Sequence, residues 1–153
     1  MKILITYFSA SGVTKKVAEK ISNTLNADLF EIKPVRKYTN LDLDWTNESS
    51  RSSIEMKEKI KPEILEKVSN IEEYDTIIIG FPVWWYTAPT IINTFVEENN
   101  LNDKKIFVFV TSGSSGALGS FNDLKNTYKN LNFISAQRYT LDVTEEEIKN
   151  WIN

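Results

Sequence analysis

The chain has 153 residues, which is the length of one domain and enough to bury a core without disulfides or metal. Hydrophobic residues make up 41% and charged residues 25%, ordinary for a soluble globular protein, and no apolar run approaches the ~18 residues of a membrane span. There is no Cys and no His, which excludes disulfides, thiolate catalysis, iron–sulfur ligation and histidine acid–base chemistry; the net charge of −3 argues against a nucleic-acid partner.

The opening Met1-Lys2-Ile3-Leu4-Ile5 is too short an apolar core for a signal peptide, and polar Thr6, Ser9 and Ser11 follow at once. The expectation is a cytoplasmic protein with no targeting segment and no membrane or nucleic-acid partner. Lys2 to Phe8 reads as a buried strand. Val13, Val17, Ile21 and Leu25 recur every four residues, one face of a helix. Asp28 to Ile32 is a second short strand. Residues 34–61 are polar and without clear period, the signature of a long flap inside the domain, with a short helix expected over Glu55 to Ile60. Pro62 opens a predicted helix burying Ile64, Leu65 and Val68.

Thr76 to Phe81 is apolar throughout, as expected of a strand covered on both faces. Pro89 opens a helix carrying Ile91, Ile92, Phe95 and Val96. Lys105 to Val110 is a fourth strand, Phe121 to Tyr128 a weaker helix, and Phe133 to Leu141 holds an irregular fifth strand. Thr144 with Glu147 three residues on is a capping box for a last helix bearing Ile148 and Trp151. This alternation predicts one α/β domain over 1–153: a three-layer, doubly wound sandwich on a five-stranded parallel sheet, order 2-1-3-4-5. Ligands of such sheets sit beyond the carboxyl ends of the strands.

Three loops lie at that edge. The first, Ser9 to Thr14, enters a helix, whose N-terminus offers unpaired N–H groups and a positive dipole end. The hydroxyls of Ser9, Ser11 and Thr14 add donors, and Gly12 permits close backbone approach. The same residues also read as a plain N-cap with Ser11 as the cap. The GxxxxGK[ST] and GxGxxG spacings are both absent. Ser9, Ala10, Ser11, Phe81 and Pro82 stand where a receiver domain needs acids. The chain's five glycines, at 12, 80, 113, 116 and 119, all fall in or beside these loops.

Ser9-x-Ser11-Gly12-x-Thr14 after a first strand resembles the FMN-phosphate loop of flavodoxins. The stretch from Gly80 to Pro89, with Pro82, Val83, Trp84, Trp85 and Tyr86, is similar to their isoalloxazine loop. Thr111, Ser112 and Gly113 through Gly119 resemble their second flavin loop. The resemblance implies FMN held by Ser9, Ser11, Gly12, Val13, Thr14, Pro82 to Tyr86, Thr111 to Gly113 and Gly119, with no metal and no catalytic side chain of the protein's own. Taken alone, Trp84 and Trp85 read equally as core or partner-binding aromatics. Asp42, Asp44, Ser50, Arg51 and Ser52 look like the flap of short flavodoxin-like proteins. That flap is expected to bring Trp45 or Arg51 to the cofactor edge; the alternative is an exposed Arg51–Glu55 pair.

The family implies a low-potential electron carrier, monomeric or weakly dimeric, serving reductases or ferredoxin-dependent enzymes. Carboxylates at Asp42, Asp44 and Glu48 disfavour a negatively charged reduced flavin and lower its potential. The alternative is an NAD(P)H-dependent quinone or flavin reductase. One departure favours the latter. Flavodoxins commonly carry a glycine in the isoalloxazine loop, where a peptide flip serves one-electron chemistry, whereas Pro82 to Ala88 has none.

Overall fold

The computed structural model describes residues 1–153. Five parallel strands form one sheet: β1 Ile3–Tyr7, β2 Asp28–Glu31, β3 Thr76–Pro82, β4 Lys105–Thr111 and β5 Asn132–Arg138, in the order β2-β1-β3-β4-β5. The helices are α1 Val13–Leu25, α2 Arg51–Glu58, α3 Thr90–Glu98, α4 Leu118–Thr127 and α5 Glu145–Ile152. This is the flavodoxin-like architecture that the strand–helix alternation predicts. No helix is long and apolar enough to cross a membrane.

Alternation along the central strands divides the core in two. Ile77, Ile79 and Phe81 of β3 join Ile91, Ile92, Phe95, Phe121 and Leu124 under α3 and α4. Ile78, between them in sequence, joins Val17, Ile21, Phe109 and Ile148 under α1 and α5. α5 starts as the capping box predicts, the Thr144 hydroxyl accepting from the Glu147 N–H at 3.1 Å. The irregularity expected in the last strand is a register shift: Ile106 faces Phe133 and Phe107 faces Ser135, so Ile134 is the extra residue.

Two local expectations fail. The helix predicted from Pro62 does not form. The chain there is extended: Val35 N–H donates to Glu63 at 2.9 Å and Leu65 N–H to Lys33 at 2.7 Å, pairing Pro34 with Ile64. Thr94 on α3 holds the Pro62 carbonyl, and Asn99 takes the Val68 N–H. Ile64 and Val68 are buried as expected, but Leu65 is exposed. A short apolar pattern fits helix and strand alike, and tertiary partners decided it. The flap helix begins four residues earlier than expected, at Arg51, because the Ser50 side chain caps it by accepting from the Ser53 N–H.

Candidate functional site

The three loops converge at the carboxyl edge of β1, β3 and β4. In the first, Gly12 occupies the N-cap of α1 with φ 96°, a backbone that other residues adopt at a penalty, and gives no side-chain cap. Ser11 is exposed and does not cap, which corrects the plain N-cap reading. Ser9 does that work from further back, its Oγ accepting from Gly12 N–H at 3.1 Å and Lys15 N–H at 3.2 Å. The N–H groups of Ala10, Ser11, Val13 and Thr14 reach no acceptor in the protein. Four unpaired amides at the positive end of a 13-residue helix constitute an anion cradle.

Thr14 is buried and its hydroxyl lies 2.7 Å from that of Thr111, joining the first loop to the end of β4. A hydroxyl has one donor and two acceptor positions, so when the Thr111 O–H donates to Thr14 Oγ1 the Thr14 O–H is left to donate outward. Thr14→Val is therefore expected to weaken FMN about tenfold while sparing riboflavin, as fluorescence titration of both would show. It also strands the Thr111 hydroxyl, lowering stability by about 1–3 kcal/mol. Equal loss of both flavins would remove Thr14 from the phosphate's coordination.

The second loop is a two-residue hairpin. Trp84 and Thr87 exchange both backbone bonds, at 2.9 and 3.0 Å, and Trp85 (φ 47°) and Tyr86 (φ 63°) form its corner. Both central residues lie in the left-handed region, as a type I′ turn requires, yet neither is Gly or Asn. Backbone strain of this kind persists only where the surroundings over-determine it. Here they do. Val83 N–H bonds the Thr111 carbonyl, Thr87 Oγ1 donates to Asp123 on α4 at 2.6 Å, and Trp84 packs edge-on to Phe8 and Tyr38. Gly119 completes the seat, since a Cβ there would stand 2.8 Å from the Tyr86 carbonyl oxygen.

The missing glycine therefore does not bar positive φ in this loop, because the fold already imposes it on an aromatic pair. The Trp84 ring is a wall of the core, whereas Trp85 and Tyr86 are presented at 44% and 79% exposure. Tyr86→Gly is expected to raise unfolding stability by about 1 kcal/mol, since left-handed backbone costs a non-glycine residue that much and little ring burial is lost. Urea melts test this, and a fall in midpoint would mean the Tyr86 ring contributes more than its backbone loses.

The third loop follows Thr111. Its shape comes from a residue the sequence gave no reason to single out: Arg138, at the end of β5. Its Nε donates to Ser112 Oγ at 3.0 Å, and its Nη2 to the carbonyls of Ser112 and Gly113, both at 2.9 Å. All peptides are trans, so the N–H groups of Gly113 and Ser114 point away from Arg138, and neither has a protein acceptor.

The flap covers this edge through a buried ionic knot. Arg51 stacks over the Tyr38 ring at 3.8 Å, donates to Glu55 at 2.8 Å and to the Arg36 carbonyl at 2.8 Å. The Arg51 and Glu55 side chains are only 9% and 7% exposed, so this is not the exposed pair of the alternative reading. Nor does Arg51 reach outward; its groups are consumed within the flap. Burial, reinforced by the bond to Glu55, pushes the Tyr38 phenol far up and keeps it neutral. The Thr39 N–H holds the Asp42 carboxyl below the usual range. Trp45, Glu48 and Trp85 line a common hollow of about 500 Å³. A comparable hollow beside Ser9 and Ala10 is walled by Tyr38. Another hollow, about 540 Å³, is lined by Glu98, Asn100 and Leu101 at the opposite end of the sheet and shares nothing with the loops.

The structure thus brings the sequence-predicted residues to one edge: a helix-mouth anion cradle, a strained aromatic hairpin and a loop with outward amides. This donor set fits a phosphoester joined to a flat, largely apolar ring with a polar edge.

Known proteins agree. Solved structures superpose closely. A Bacteroides eggerthii protein described as a candidate flavoprotein is 44% identical, with a TM-score of 0.96 over 99% of this chain and 95% of that one. A Lactobacillus acidophilus flavoprotein solved in complex with FMN is 29% identical, with a TM-score of 0.80 over 99% of both chains. The uncharacterized NAD(P)H oxidoreductase YcaK of Escherichia coli is 25% identical over 96 residues, which are 61% of this chain but only 44% of that protein. The flavodoxin family model matches residues 2–153, and the chain belongs to the flavodoxin family.

Proposed function

We propose that this protein binds FMN at the three-loop edge and works as a low-potential electron carrier between redox proteins. The Lactobacillus relative with FMN bound, similar over the whole chain, supports the cofactor. FMN, when bound, supplies the electron-accepting chemistry; the protein's residues bind and orient it. The amides of Ala10, Ser11, Val13 and Thr14 hold the phosphate, with Ser11 free to add its hydroxyl. The 84–87 hairpin and the outward amides of Gly113 and Ser114 face the ring. Glu48 and Asp44 on the flap oppose added negative charge nearby.

The observation that carries the carrier reading is the rim. Tyr86, Trp85 and Leu118 (68% exposed) form an apolar lip at the ring loops. An exposed apolar patch of this kind suits brief docking of redox partners. A second reading, an NAD(P)H-dependent reductase of quinones or flavins, is favoured by the hollow that Trp45 and Trp85 line, which leaves room for a second ring. It is favoured also by the similarity to the E. coli protein described as an NAD(P)H oxidoreductase.

Anaerobic reductive titration of the FMN-loaded protein separates the two. Two well-resolved one-electron waves support the carrier. A single two-electron wave, with fast NADPH oxidation in the presence of a quinone, supports the reductase. Protein that stays colourless with added FMN would sink both.

A further inference from the structure

We infer that Tyr38 and Glu55, both in the flap, are positioning residues for the flavin site: Glu55 fixes the Tyr38 ring, and that ring supports the first loop and the aromatic hairpin from the core side. This role rests on the flavin reading above, and it couples cofactor affinity to the order of the flap.

The link is a closed triangle of rings. Phe8 meets Tyr38 at 5.6 Å between centroids, Tyr38 meets Trp84 at 5.5 Å, and Trp84 meets Phe8 at 5.7 Å. The interplanar angles are 63°, 79° and 88°, so all three contacts are edge-on, the geometry that ring quadrupoles favour. Each ring comes from a different part of the site. Phe8 directly precedes Ser9, whose Oγ holds the Gly12 and Lys15 amides at the mouth of α1. Trp84 closes the hairpin by exchanging both backbone bonds with Thr87, so its ring anchors the strained pair between them. Tyr38 belongs to the flap and packs against the same core as Trp84, Ala10 and Val83. Phe8 is 1% exposed and held by that core on its own account. Trp84 is only partly buried and takes one of its walls from Tyr38.

Tyr38 is itself held from two directions. Its hydroxyl donates to Glu55, and the Arg51 guanidinium covers its ring. Arg51 also donates to Glu55 and to the carbonyl of Arg36, two residues before Tyr38. Glu55 accepts from both and is the pivot of the arrangement. A buried ion pair of this kind adds little net stability over apolar side chains of the same volume, and here it fixes an orientation. Without Glu55 the phenol loses its acceptor, the ring is free to turn, and Trp84 loses a fixed edge. The hairpin then relaxes from its left-handed backbone, and a flavin has to impose it again at a cost in affinity. Linkage makes the coupling reciprocal, so a bound flavin orders the flap as much as the ordered flap favours the flavin.

The test compares four variants with the native chain, by calorimetric titration with FMN and with riboflavin and by urea melts. Glu55→Leu and Tyr38→Phe cut the bond between ring and helix from either end, and each is expected to raise both dissociation constants about tenfold. Glu55→Gln keeps an acceptor for the phenol and is expected to stay within about threefold of native. Tyr38→Phe keeps the ring and carries the test if Glu55→Leu does not fold. A merely structural role would lower the urea midpoint and leave the affinity of the folded protein alone. Native-strength binding of both flavins by the two variants that cut the bond therefore overturns the assignment, whatever the melts show. Hydrogen exchange gives the reciprocal reading. Saturating FMN is expected to slow exchange at the Ile54 amide, which bonds Ser50 within the flap, and the slowing is expected to be lost in Tyr38→Leu. Undiminished slowing in Tyr38→Leu overturns the coupling. A native chain that binds no FMN removes the flavin reading and this role together. A native chain that binds FMN, with variants that match it, defeats only the role of Tyr38 and Glu55.

Discussion

Replacing Arg138 by glutamine is expected to raise the dissociation constants of FMN and riboflavin together, by about ten- to a hundredfold, without loss of the fold. Hydrogen bonds to a charged group are worth about 1.5–3 kcal/mol each, and about 1.4 kcal/mol is a factor of ten in affinity. Arg138 makes three such bonds, all to Ser112 and Gly113. They hold two carbonyls on one side of the loop, and planar trans peptides then fix the Gly113 and Ser114 N–H groups on the other. Without the guanidinium the loop is free to rotate those amides away. A flavin would have to order the loop on binding and lose affinity in doing so. In the proposed placement of FMN this loop borders the ring and not the phosphate, so both flavins are expected to suffer alike, the opposite of the pattern expected for Thr14→Val. Arg138→Lys should recover little, since an ammonium cannot span the three acceptors as the planar fork does. Weakening confined to FMN would show that Arg138 acts on the phosphate through its charge and not on the loop through its geometry.

Arg138 marks the boundary of what was legible beforehand. The strands and most helices follow from apolar period and capping residues, which are local signals. Thr144 with Glu147 and the unbroken run from Ile77 to Ile79 left little choice. The three loops were also legible, because the strand–helix alternation predicts which edge binds ligands and the glycines and hydroxyls concentrate there. Arg138 carries no such signal. It lies at a strand end, 26 residues from Ser112, and only the fold brings them together. The knot of Tyr38, Arg51 and Glu55 was half visible as an i,i+4 pair; that it is buried depends on Tyr38 arriving from the other end of the flap. The hairpin at Trp85 and Tyr86 was invisible for a different reason. Turn chemistry predicts Gly or Asn at left-handed positions, and the fold overrides that preference through contacts to Asp123, Thr111, Phe8 and Tyr38. Such a violation of a local rule, held in place by many long-range contacts, is where a functional site is to be sought.

Gly80 shows the converse, a glycine beside these loops that no turn requires. It lies within β3, paired with Tyr7 and Phe109, and its backbone is not in the left-handed region. What demands glycine is space. A Cβ at residue 80 would stand 2.0 Å from Phe109 Cζ and 2.2 Å from Cε1. Phe109 has no exposed surface and is packed among the side chains beneath α1 and α5. Gly80→Ala is therefore expected to destabilise the fold by about 3 kcal/mol, the upper end of the usual overpacking range, read as a lower urea midpoint with unchanged slope. Phe109→Leu alone should also destabilise, through the space it vacates. The double variant should be more stable than the two single effects summed, because each change relieves the other. Simple additivity would mean that the ring does not occupy the space over residue 80. The consequence reaches the flavin edge, since Phe81 and Pro82 carry the chain from this contact into the aromatic hairpin. Moving β3 away from the Phe109 ring shifts the anchor of Val83 on Thr111. FMN affinity should then fall along with stability, although residue 80 itself belongs to the strand and not to the loop.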